Sequence, residues 1–102
     1  MFHQPKTISE FKTLSTGLPQ YYVILHKDWD ILSNIIKEFV EKKFTQSGLQ
    51  FFMLDIFEEP EFFTMFNTTN VPALIIVNGT ETRDQTIPAM IWKTLESLAR
   101  QN

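Results

Sequence analysis

Cysteine is absent from this chain of 102 residues. Disulfides, thiol nucleophiles and zinc sites built on thiolates are therefore excluded, since each needs a sulfur that can lose its proton. Histidine is scarce, with His3 and His26 the only two, so a transition-metal centre has little to draw on and no metal is expected. There is no excess of positive charge: nine Lys and Arg stand against twelve Asp and Glu, for a formal net charge of −3. That balance argues against nucleic acid or an anionic membrane as the main partner. Long apolar runs are missing too. The longest, Tyr21–Leu25 and Val71–Val77, are far too short to cross a bilayer, and Met1–Glu10 lacks the apolar stretch of a signal peptide. A soluble cytoplasmic protein is the expectation.

What the chain does contain is an ordinary globular composition, 43% apolar and 21% charged, without repeats, linkers or low-complexity tracts. The length suits one domain, residues 1–102, able to bury roughly 60–70% of the surface of its unfolded chain. Thr7-Ile8-Ser9-Glu10 has the spacing of a capping box, and Ile8, Phe11 and Leu14 follow at helical spacing until Gly17 and Pro19. Tyr21–Leu25 reads as a strand covered on both faces. Leu32, Ile35, Ile36, Phe39, Val40 and Phe44 then recur at helical steps, with Asp28 or Asp30 as the cap and Gly48 as the end. Phe51–Phe57 is a second buried strand, Pro60 opens a short helix carrying Phe62, Phe63 and Phe66, and Ala73–Val77 is a third strand. Asn78-Gly79 signals a tight turn into a polar edge strand over Glu81–Ile87, and Pro88 opens a last helix with Ile91, Leu95, Leu98 and Ala99 on one side. A short strand is also expected at Phe2–Gln4. Strands separated by helices imply right-handed parallel crossovers, and the closing hairpin adds an antiparallel edge.

With that order of elements, several landmarks fall into place. Trp29 stands just after a strand and opens the long helix, Pro60 and Pro72 lie twelve positions apart, and Val71-Pro72 opens an apolar strand that ends in Asn78-Gly79. In these features the chain resembles the thioredoxin superfamily over nearly its whole length, although Pro88-Ala89-Met90 replaces the glycine usual before the last helix. The resemblance implies an α/β, thioredoxin-like three-layer sandwich with a mixed four- or five-stranded sheet flanked by helices. It also implies that Asp30-Ile31-Leu32-Ser33 occupies the place of the Cys-x-x-Cys dithiol. Dithiol exchange needs a low-pKa thiolate and a resolving thiol, so that activity is excluded here. By the same alignment the family's buried acid becomes Ile24 and its lysine partner Met53. Losing both together avoids stranding one buried charge, which costs about 3–5 kcal/mol. The resemblance further implies a cis bond at Pro72 and a groove that takes an extended segment of a partner. Trp29, Asp30, Ile31, Asn70, Val71 and Pro72 would form that groove, with the backbone of Val71 doing the pairing.

Each of these residues has a plainer reading. Asp28 and Asp30 are helix caps before they are an acid–base pair, for their spacing splays them on a helix. Ser33 is a first-turn residue unless His26 lies beside it as a base. Trp29 reads equally as core or as contact surface. Pro72 serves equally as a strand entrance. Phe57, Phe62, Phe63 and Phe66 exceed what one face of a short helix buries, which suggests either core filling or a patch for a partner or homodimer. Glu58, Glu59 and Glu61 make an acidic helix start without the spacing of a calcium loop.

Three classes of function follow. The leading one is a redox-inactive module that binds a protein or peptide in the groove and takes no cofactor. A cysteine-independent, glutathione-binding transferase-like enzyme is the second, although Gln85-Thr86-Ile87-Pro88 lacks the acidic-Ser pair such proteins use. A structural homo-oligomeric assembly protein is the third.

Overall fold

The computed structural model describes residues 1–68 and 70–101. Thr7 caps the first helix as its spacing predicts: its hydroxyl accepts the Glu10 N–H at 3.1 Å, and α1 runs Ile8–Ser15. Gly17, at φ +86°, turns the chain out of α1 in a conformation that a Cβ would penalise. The other helices are α2 (Ile31–Phe44), α3 (Glu61–Phe66) and α4 (Pro88–Gln101). None is long and apolar enough to cross a membrane. The strands are β1 (Phe2–His3), β2 (Gln20–His26), β3 (Phe51–Asp55), β4 (Ala73–Asn78) and β5 (Glu81–Gln85).

They form a five-stranded mixed sheet in the order β1-β3-β2-β4-β5. β1 and β2 both run parallel to β3, whereas β4 is antiparallel to β2 and to β5. Successive residues of a strand face opposite sides of the sheet, and the two faces collect separate cores. Tyr22, Ile24, Phe51 and Met53 pack under α2 and α4 with Ile36, Val40, Phe44, Ile91 and Leu95. Val23, Leu25, Phe52 and Leu54 pack on the other face with Phe11 and Phe62. Both faces of β2 and β3 are thus covered, which is why their sequences read as continuous apolar runs rather than alternating ones.

Four sequence expectations change, and one open reading is resolved. The connection from β3 through α3 to β4 is not a parallel crossover. α3 has six residues and rises only about 9 Å, against the roughly 17 Å spanned by β3, so the chain re-enters the sheet at the end where it left. The hairpin loop is Gly79-Thr80 rather than Asn78-Gly79. Asn78 still pairs with Glu81, and Gly79 at φ +64° takes the first loop position, as a II′ turn requires. Ile35 faces solvent instead of joining the buried stripe, and α2 ends at Phe44, before Gly48. Among the four clustered phenylalanines Phe62 is core, Phe63 and Phe66 pack against it, and only Phe57 is exposed.

Candidate functional site

The topology gathers three chain segments at one end of the sheet. β2 and β3 end side by side at His26 and Asp55, and β4 begins at Ala73 opposite Leu25. From that end Lys27–Asp30 leads into α2, Ile56–Pro60 leads into α3, and Asn70–Pro72 enters β4. Segments outside the carboxyl ends of parallel strands are where open α/β sheets place their ligands. We refer to this end as the rim.

Of the two candidate caps, Asp30 does the work. It is extended (φ −88°, ψ 118°), and its carboxylate accepts the Ser33 N–H at 2.9 Å. Its pKa is held below the ordinary carboxylate value, by the Ser33 hydroxyl first and the Ser33 N–H second. The buried hydroxyl lacks the geometry of a full hydrogen bond, so the amide contact carries the cap. Asp28 sits in the preceding turn, where its carbonyl accepts from the Asn34 side chain. Ser33 Oγ has no hydrogen-bond partner among the described residues, and the acidic contact of His26 is Asp28. The nucleophile–base pairing of Ser33 with His26 is therefore not formed.

Beneath this turn, Ile24 and Met53 are cross-strand neighbours in register, and neither is more than 1% exposed. The layer that would hold an acid and a lysine is hydrocarbon.

Above the turn the surface is apolar. Trp29 is 59% exposed, Ile31 77% and Phe57 66%. The Trp29 and Phe57 rings meet edge to face at 4.6 Å, and the Lys27 ammonium lies 5.6 Å from the Trp29 ring. Asn70 is exposed, Val71 is half-buried against the α1/α3 core, and Pro72 is buried behind a cis Val71–Pro72 bond. All six groove residues named from the sequence thus lie at the rim, but Asp30 spends its carboxylate on the helix. Phe57 was hidden among the phenylalanines. The signal for it was its position just past a strand end and ahead of the Glu-Glu-Pro of a helix start.

The structure also joins His26, Asp28 and Asp55, a grouping that depends on the pairing of β2 with β3. One donor atom from each lies within 4.8 Å of the others. His26 is 3% exposed, and burial pushes its imidazole below the ordinary histidine value despite the nearby Asp55.

No protein-family model and no curated protein sequence matches the chain. Solved structures do. The chain is similar to reduced Schistosoma mansoni thioredoxin pre-protein with a TM-score of 0.76 at 14% identity, covering 94% of this chain and 96% of that one. It is similar to mitochondrial thioredoxin 3 from Saccharomyces cerevisiae in its oxidized form, with a TM-score of 0.73 at 13% identity, covering 94% of each. A designed protein matches with a TM-score of 0.76 at 22% identity, covering 97% of this chain and 95% of its own. Sheet order, helix placement and these superpositions lead to one conclusion: this is a thioredoxin-fold, α/β sandwich protein that lacks the Cys-x-x-Cys dithiol.

Proposed function

We propose that the chain is a redox-inactive thioredoxin-fold module that binds an extended segment of a partner protein across the rim. The observation that carries this reading is the grouping of Trp29, Ile31 and Phe57, three large apolar side chains exposed together. Singly exposed apolar residues are ordinary, but a cluster of them at one end of a sheet marks a contact surface. Neither the N–H nor the C=O of Val71 has a backbone partner among the described residues, which leaves both open to an extended peptide. Asp28, Glu58, Glu59 and Glu61 flank the patch in sequence against the single Lys27. The segment it fits is therefore apolar with basic flanks, since complementary charge sets specificity and encounter rate.

The test uses peptides selected from a random library against the protein, with binding measured by calorimetry. Selected sequences should combine apolar anchors with Lys or Arg. Trp29→Ala should weaken them by at least about 2 kcal/mol, as an aromatic anchor does. Val71→Asp should weaken them as well. Equal affinity for folded variants overturns the reading. So does sedimentation showing a dimer that Trp29→Ala dissolves, because the rim would then take a second copy of the chain.

A further inference from the structure

A small polar cavity lies on the α2-facing side of the same strand ends, and the peptide reading makes no use of it. His26 and Asp55 are paired across β2 and β3, so their side chains leave the sheet on one face, one same-face step beyond Ile24 and Met53. The titratable pair that the Ile24–Met53 position lacks is present at the next step along the same strands. Asp28 returns over it from the turn, with its Oδ1 3.7 Å from His26 Nδ1. Lys6, Lys37 and Glu58 complete the wall of a cavity of about 190 Å³.

Two observations point to a ligand here. His26 Nδ1 is buried and has no hydrogen-bond partner among the described residues, an arrangement that is costly when nothing fills it. The carboxylates of Asp28 and Asp55 have no lysine within ion-pair distance among the described residues, although Lys6 and Lys37 line the cavity. The Asp55 carboxylate is also held in place, its Oδ1 accepting the Phe57 N–H at 2.8 Å.

We infer that His26, Asp28 and Asp55 form a binding site for one first-row divalent cation of the zinc class. One imidazole and two carboxylates supply two negative charges to a dication, and the imidazole favours zinc, cobalt or nickel over magnesium or calcium. Two ligands each about 2.0–2.1 Å from a tetrahedral zinc stand about 3.4 Å apart, close to the 3.7 Å already separating His26 from Asp28. The Asp28 side chain is 65% exposed and so is free to rotate toward an ion held by the other two. Lys6 and Lys37 oppose a bound dication, so the site is one that exchanges its ion rather than one that holds the fold together. The inference does not rest on the peptide reading: the two share the acidic Asp28 and Glu58, but the apolar anchors Trp29, Ile31 and Phe57 are not among the metal-binding side chains.

The test is titration of the untagged protein with zinc chloride, followed by calorimetry and by the imidazole resonances. With only two histidines, the rings are distinguished without ambiguity. One zinc should bind per chain, shifting the His26 ring signals and leaving those of His3 in place. Magnesium or calcium at the same concentration should shift neither. Asp28→Asn removes a charged ligand and should weaken zinc by more than about tenfold, the loss that follows even a change outside the ligand set, without altering the melting temperature of the metal-free protein. Glu38→Gln on the outer face of α2 should change nothing. Unmoved His26 signals through millimolar zinc, shifts confined to His3, or equal affinity in Asp28→Asn would each overturn the inference.

Discussion

Tyr22 illustrates how burial at a single position becomes a measurable property. Its ring stacks on Phe51 at 4.9 Å, the residue is 6% exposed, and its hydroxyl accepts from the Gln20 amide at 3.3 Å. Burial raises its pKa above the ordinary tyrosine value, and Arg83 opposes the shift. The folded state therefore prefers the neutral phenol. The associated stability is complete below the unfolded value of about 10 and is lost as pH rises beyond it. Urea unfolding measured from pH 8 to pH 11 should show that loss in the wild type and less of it in Tyr22→Phe. Identical slopes would show that Tyr22 is not the group responsible. At this scale the sequence was legible where chemistry is local. The Thr7 cap needed only its neighbours, and the α2 cap was narrowed to Asp28 or Asp30, with the turn geometry deciding for Asp30. Trp29 was not legible, because whether an aromatic residue beside a helix cap is buried depends on what the rest of the chain places over it.

Between elements, register does what spacing cannot. Ile24 and Met53 are 29 positions apart in sequence, yet they are direct neighbours across β2 and β3. Introducing Asp at 24 or Lys at 53 alone should destabilise the protein strongly, since each strands a charge in hydrocarbon. Introducing both should cost less than the sum, with a coupling of about 0.5–3 kcal/mol in a double-mutant cycle by urea unfolding. Additive penalties would show that the two side chains do not face one another. The same register joins His26 to Asp55, and for the same reason that pairing could not be read from the sequence. The direction of β4 was also hidden. Alternating helices and strands imply crossovers, but α3 is too short to carry the chain back, and that length limit shows only once the strand ends are placed.

For the molecule as a whole, the sheet divides its work by end. The strand cores account for nearly every apolar run visible in the sequence, whereas three of the large apolar residues left exposed outside them, Trp29, Ile31 and Phe57, lie at the rim. The fold was legible because element order and apolar runs are long signals; the site was not, because it depends on three loops meeting. The glutathione-transferase alternative is disfavoured at the β5–α4 junction. Gln85 Oε1 there accepts from Thr94 Oγ1 at 2.9 Å, and Gln85–Pro88 contains no acidic-Ser pair to hold a glutathione amine. Glutathione added to millimolar levels should leave the tryptophan emission unchanged, and a saturable change would revive that reading.

The Gly79–Thr80 tip lies at the opposite end of the sheet from the rim, since Asn78 pairs with the first residue of β2. Seven residues of β2 separate the two ends, a span of roughly 23 Å. In a polypeptide with no native sulfhydryl, Thr80→Cys creates a handle that reagents cannot confuse with any other. A fluorophore or a chip surface attached there leaves Trp29 and its neighbours pointing into free solution, so every tethered copy is oriented alike.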